Sequence, residues 1–170
     1  MMLACSFLFQ EITRQTIKGL SVGGFQALDL WRRNGGESTI NALSKTSEAK
    51  RAEIFEYLRE CPLYDTVSVG DKDYLLVHGG LGNYEEGKKI TDYSDGELLW
   101  ARVFPSTRYS DKFITIVGHT PTYAYGGVCD GRIYKSETWI NVDAGAAGGL
   151  APALLRLDDM QEFYVDTEEK

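Results

Sequence analysis

The chain contains two histidines, and both stand in the same kind of place. His78 lies in Val77-His78-Gly79-Gly80, and His119 in Val117-Gly118-His119-Thr120-Pro121-Thr122. In each case an apolar, β-prone run, Tyr74 to Val77 or Phe113 to Val117, carries the imidazole to a glycine-bearing loop. Tyr74-Leu75-Leu76-Val77 is almost continuously apolar, which predicts a central strand covered on both faces. A separation of 41 residues is no zinc-finger spacing. The two imidazoles can therefore meet only if their strands are neighbours in one sheet.

Neutral imidazole ligates zinc, manganese or iron, with its second nitrogen held by a carboxylate or carbonyl. Gly79 and Gly118 beside these histidines would let the backbone approach an ion or a phosphate closely. Each histidine taken alone also fits an ordinary structural or surface role. Asn141 to Gly149 forms another strand-to-loop passage, where Asp143 either orients a histidine or caps a turn through its own carboxylate. Its glycines lack the following helix of a dinucleotide fold and the lysine of a P-loop. Arg102 offers a planar fork of donors suited to phosphate oxygens, although a lone arginine is more often a surface residue.

Around these features the chain reads as α+β, with N-terminal helices followed by mixed or antiparallel strands. Residues 1–62 are expected to be mainly helical, with segments over Met1 to Lys18, Phe25 to Arg33, Glu37 to Leu43 and Ser47 to Glu60. In the last, Ile54, Phe55, Leu58 and Cys61 make an apolar stripe, and Pro62 ends it. Residues 63–170 carry strands and loops. A hairpin is expected over Thr66 to Val69 and Asp73 to His78, and a short helix over Glu97 to Val103. Further strands are expected over Phe113 to Val117, Gly127 to Cys129, Arg132 to Tyr134, Trp139 to Val142, Ala153 to Leu157 and Glu162 to Val165. Asp130-Gly131 predicts a tight turn between the second and third of these.

A chain of 170 residues suits one domain with a real core. The net charge of -7 argues against a broad surface for nucleic acid or anionic lipid. Cys5, Cys61 and Cys129 are odd in number and widely spaced, as expected of reduced thiols. The apolar start Met1 to Phe9 is too short to span a bilayer and lacks the flanks of a secretory signal, so the cytoplasm is the expected location.

Four blocks in order, LLVHGGL at Leu75 to Leu81, ELLWAR at Glu97 to Arg102, VGHTPT at Val117 to Thr122 and NVDAGAAGG at Asn141 to Gly149, carry a resemblance. They resemble the bacterial serine/threonine protein phosphatase group of the calcineurin-like metallophosphoesterases. The similarity extends from Trp31 to Phe163 and includes NGGESTI at Asn34 to Ile40. It implies a β-sandwich flanked by helices, holding two divalent metals, commonly manganese, iron or zinc. A bridging water or hydroxide there attacks phosphorus directly. It places His78 and His119 as ligands of one metal, and Arg102 on the phosphate of a phosphoprotein or small phosphomonoester.

The family's D-x-H-G, G-D-x-x-D-R-G and G-N-H-E or G-N-H-D blocks are absent, and the resemblance implies that Met1 to Ala4 lies just beyond the last of them. The expectation is a single partial domain, 1–170, that begins inside the fold and lacks its early strands. Most of the metal site and the proton donor to the leaving group would be missing, so metal binding should be weak or absent and hydrolysis nil or nearly so. Open sheet edges and exposed apolar surface would favour self-association or a complementary chain. A noncatalytic or split module completed by another chain is one alternative. A diadenosine polyphosphate hydrolase is another.

Overall fold

The computed structural model describes residues 29, 32, 33, 35–127 and 129–165. The helix expected over Met1 to Lys18, and most of that over Phe25 to Arg33, lie outside the described residues. By its internal contacts the chain falls into two compact units, residues 1–62 and 63–170.

The first unit contains α1 (Glu37–Ser44) and α2 (Glu48–Glu60). The Ser47 hydroxyl accepts from the Lys50 N–H at 3.3 Å and caps the start of α2. Arg51 in α2 donates to the carbonyls of Leu43, at 3.3 Å, and Thr46, so it serves the end of α1 as a cationic cap. The helix stops at Cys61, which is extended because Pro62 follows. Of the expected stripe, Leu58 is buried and Ile54, Phe55 and Cys61 are half-buried.

The second unit is built on a five-stranded mixed sheet in the order β1-β2-β3-β5-β4. Its strands are β1 (Tyr64–Val69), β2 (Lys72–Val77), β3 (Ile114–Val117), β4 (Tyr134–Lys135) and β5 (Trp139–Asn141). β1 and β2 form the expected hairpin, in register from Tyr64↔Val77 to Val69↔Lys72. Gly70, at φ 63°, takes the first turn position, where a positive φ matches the strand twist. β2, β3 and β5 then run parallel, and Tyr74 to Val77 are all buried, so β2 is covered on both of its faces. Leu75, Val77, Leu98, Val103, Val117 and Trp139 make the centre of the core. The architecture is thus α+β, with N-terminal helices preceding a mixed sheet.

Two expectations are corrected. Gly127 and Cys129 are not in strands, and Tyr134–Lys135 pairs with β5 instead of forming a hairpin across Asp130-Gly131. Gly126, Gly127 and Gly131 all hold positive φ, which breaks the extended run, and Ser136 turns the chain directly into β5 by accepting from the Trp139 N–H at 3.1 Å. The helix expected over Glu97 to Val103 is α3 (Asp95–Leu99). It starts earlier because Ser94 and Glu97 form a capping box. It stops earlier because the Glu97 and Leu98 carbonyls, which would carry it on to Ala101 and Arg102, accept instead from Gly82 and Gly79 at 2.9 and 2.8 Å.

β6 (Ala153–Leu155) and β7 (Glu162–Tyr164) form a separate antiparallel pair. Tyr164 accepts from the Ile133 N–H at 3.0 Å and Glu162 pairs with Lys135 at 2.6 Å, which fastens one face of this ribbon beside β4. The other face carries the directly opposed Leu154 and Phe163, 48% and 39% exposed, with Val165 beside them at 61%. Among the described residues, no helix is long and apolar enough to cross a membrane.

Candidate metal centre

Parallel pairing of β2 with β3, in register Leu76↔Ile116, brings the carboxyl ends of both strands to one edge of the sheet. Such ends are where open α/β sheets hold their ligands. His78 follows β2 directly, and its carbonyl accepts from the Gly118 N–H at 2.8 Å, which continues the ladder into both loops. The chain then turns at His119, whose φ of 64° is left-handed. Histidine tolerates that region better than most residues, yet it still carries strain, and such strain collects at functional sites. The turn swings the His119 ring back over His78.

His78 Nε2 and His119 Nδ1 lie 3.2 Å apart, with ring centroids 5.0 Å apart and ring planes at 66°. Two neutral imidazoles at this distance share one proton: one nitrogen donates and the other accepts. The same spacing suits a chelate. With metal–nitrogen bonds of about 2.0–2.1 Å, nitrogens so placed subtend roughly 100° at a metal, between octahedral and tetrahedral values. The pair thus fits two positions of a divalent ion that accepts imidazole. Among the described residues, no group of three or more His, Cys, Asp and Glu side chains could hold an ion.

The other predicted residues gather around this pair in different ways. Arg102 is exposed, and its guanidinium reaches the Thr120 hydroxyl at 3.5 Å, next to His119. The Asp143 carboxylate accepts from the Gly145 N–H at 3.0 Å, the turn-capping arrangement, while its carbonyl accepts from the Thr122 N–H at 2.9 Å. Gly118 lies against Asp143 and His78, but a Cβ there would sit 3.8 Å from both, an ordinary contact. Gly79 is different. A Cβ on it would lie 2.7 Å from the Leu99 carbonyl oxygen and 2.9 Å from the Ala101 nitrogen, so the space beside this glycine is filled by the backbone leaving α3.

Three residues that sequence reasoning did not single out complete the surroundings. Trp100 ends α3 and stands edge-on to His119, with centroids 5.5 Å apart at 88°. Asn141, fully buried at the end of β5, donates to the Thr120 carbonyl and the Tyr125 hydroxyl, both at 2.7 Å, and accepts from the Asp143 N–H at 2.9 Å. Thr120 is the buried link between Asn141 and Arg102. A polar amide inside the apolar run Trp139 to Val142 was the available signal for Asn141. For Trp100 there was none, because its contact with His119 is long-range.

A cavity of about 610 Å³ lies elsewhere in the same unit, beside Tyr74 and Leu75 and under Tyr84, Lys88 and Tyr93. The Tyr84 hydroxyl there bonds Glu86, and Lys88 bonds Glu97 at 3.1 Å over the Tyr93 ring. Burial, reinforced by Glu86, pushes the Tyr84 phenol up to about 12, so it stays protonated. Neither histidine lines this cavity. No protein-family model matches the chain, and no curated protein matches it.

Proposed function

We propose that this chain carries the later blocks of a calcineurin-like metallophosphoesterase of the bacterial serine/threonine phosphatase group. In this reading His78 and His119 are two ligands of one metal in a dinuclear site, and Arg102 is a phosphate-binding residue. The observation that carries the proposal is the 3.2 Å approach of His78 Nε2 to His119 Nδ1 at the ends of adjacent parallel strands. A divalent metal, manganese foremost, with iron or zinc as alternatives, would supply Lewis acidity and an activated water at such a centre. The residues of this chain would fix two coordination directions and, through Arg102 reaching the Thr120 hydroxyl, a cationic fork beside them. The remaining metal ligands and the proton donor to the leaving group are not in this sequence, so the chain by itself is inactive or nearly so.

The test is hydrolysis of p-nitrophenyl phosphate with manganese. The chain alone should show no turnover above the metal blank. A polypeptide or complex that adds the D-x-H-G, G-D-x-x-D-R-G and asparagine-histidine blocks should turn over, and His78→Ala and His119→Ala should each abolish that activity. Turnover by the completed protein that survives both substitutions would sink the assignment. Robust turnover by the homogeneous chain alone would overturn its inactivity.

A second reading, a noncatalytic module completed by another polypeptide, is favoured by the outer face of β6–β7. Leu154, Phe163 and Val165 are exposed together there. A partner bearing the complementary blocks should protect this ribbon from hydrogen exchange. Unchanged exchange in its presence would count against completion at that face.

A further inference from the structure

We infer that Trp100 is the positioning residue for His119, holding the imidazole in the orientation that faces His78; the inference rests on the reading of the two histidines as metal ligands.

Among the described residues, His119 has two ring neighbours. His78 meets it at 66° and Trp100 at 88°, each in an edge-type contact. Perpendicular contacts of this kind restrict a ring to a narrow set of orientations, because rotation about the side-chain bonds drives its edge into a neighbour. His119 needs such restraint more than His78 does. His78 emerges from a ladder strand, whereas His119 is half-buried on a left-handed turn beyond the end of β3.

Trp100 is itself rigidly seated, which a positioning residue must be. Its N–H closes the last turn of α3 on the Gly96 carbonyl at 2.9 Å. The residues on either side are clamped to the loop that follows His78: Gly79 donates to the Leu98 carbonyl, Gly82 to the Glu97 carbonyl, and the absence of a side chain at Gly79 lets the Leu99–Ala101 backbone lie directly on it. The platform that carries the indole is therefore bolted to the residue next to the first histidine, while the indole leans on the second. One rigid piece thus relates the two imidazoles. The indole Nε1 is buried with no hydrogen-bond partner among the described residues. The contact with His119 is therefore one of ring against ring, with no N–H bond in it.

Three variants of the full chain separate these ideas. Trp100→Phe keeps a ring edge without the N–H, Trp100→Leu keeps bulk without a ring, and Trp100→Ala keeps neither. Long-range proton–nitrogen NMR of the imidazoles without metal reads the tautomers directly. Wild type and Trp100→Phe should each show one dominant tautomer for His119, fixed by the shared proton with His78, and Trp100→Leu should show averaging. Calorimetric titration with Ni²⁺, which imidazole binds well, should give an affinity about 10-fold weaker for Trp100→Leu and Trp100→Ala than for wild type. Trp100→Phe should stay within a factor of about two, a difference too small to remove a coordinating contact.

A merely structural Trp100 would lower the urea midpoint while leaving the tautomer and the Ni²⁺ affinity unchanged, and that result overturns the inference. Equal damage from Phe and Leu overturns it as well. Ni²⁺ heat that persists unaltered in His78→Ala would remove the metal reading instead, and the NMR comparison would still decide whether Trp100 orients His119.

Discussion

Although 41 positions separate them in the chain, His78 and His119 put Nε2 and Nδ1 within 3.2 Å of each other. Two features of the backbone produce this. Parallel pairing of β2 and β3 aligns the strand ends, and a left-handed residue at 119 folds the second imidazole back toward the first.

Removing the imidazole of His119 while keeping its backbone should expose the strain of the turn. An L-residue at φ 64° carries a penalty of about 1–2 kcal/mol that glycine does not. His119→Gly should therefore be more stable than His119→Ala by about 1 kcal/mol in urea denaturation, against the usual order for an ordered loop. An alanine variant as stable as the glycine one would mean that residue 119 relaxes out of the left-handed region once the ring is gone.

The two glycines beside the histidines should respond oppositely to alanine. At Gly79 the new methyl would meet the Leu99 carbonyl at 2.7 Å and the Ala101 nitrogen at 2.9 Å, backbone atoms that cannot swing aside. Gly79→Ala should lose about 3 kcal/mol or more and detach α3 from the loop. At Gly118 the methyl would find neighbours at 3.8 Å, and the change should stay within about 1 kcal/mol of neutral. Similar urea midpoints for the two variants would show that the α3 backbone does not rest on Gly79.

How much of this was legible in the sequence depended on whether the cause was local. The β1–β2 hairpin and α2 follow from period and turn residues that lie together in the chain, and both stand where those signals put them. The end of α3 does not, because it is decided by Gly79 and Gly82 taking the carbonyls of Leu98 and Glu97 from a distance. The hairpin expected across Asp130-Gly131 yielded to neighbouring glycines and to the pairing of Tyr134 with Asn141. In the site, the similar settings of His78 and His119 were visible as pattern. Trp100 and Asn141 act through contacts across 19 and 21 positions, onto His119 and Thr120 respectively, and no local pattern reports those.

Asn141 should prove the most demanding polar residue around the site. Its amide supplies two donors to buried partners and one acceptor to the half-buried Asp143, and no aliphatic side chain can replace them. Asn141→Ala should lose about 2–4 kcal/mol, because the Thr120 carbonyl, the Asp143 N–H and the Tyr125 hydroxyl would each lose a bond. Asn141→Asp is the sharper variant: its ionised carboxylate keeps an acceptor for Asp143 but faces the Thr120 carbonyl with no donor. It should be unstable at neutral pH and recover in part on acidification. If Asn141→Asp were as stable as wild type at neutral pH, the amide would not be holding the His119–Thr120 loop.

Acid should release the segment that carries Trp100 through Glu97. This carboxylate accepts from the Ser94 N–H and hydroxyl, both at 2.8 Å, from Lys88 at 3.1 Å and from Asn83 at 3.2 Å. These bonds, the Ser94 N–H foremost, hold its pKa down to about 2 from an ordinary 4.5. A pKa depressed by folding contributes stability above the unfolded value, and that stability is lost as pH falls from about 4.5 through about 2. Asp159, held near 2 by Arg156, titrates over an overlapping range, so the acid limb of wild type alone is not diagnostic. The difference from Glu97→Gln is. The variant should be less stable than wild type at neutral pH, and the two urea-midpoint curves should converge within that window. Parallel curves would mean that the Ser94–Glu97 box does not fasten α3, and the rigid seat inferred for Trp100 would lose its first support.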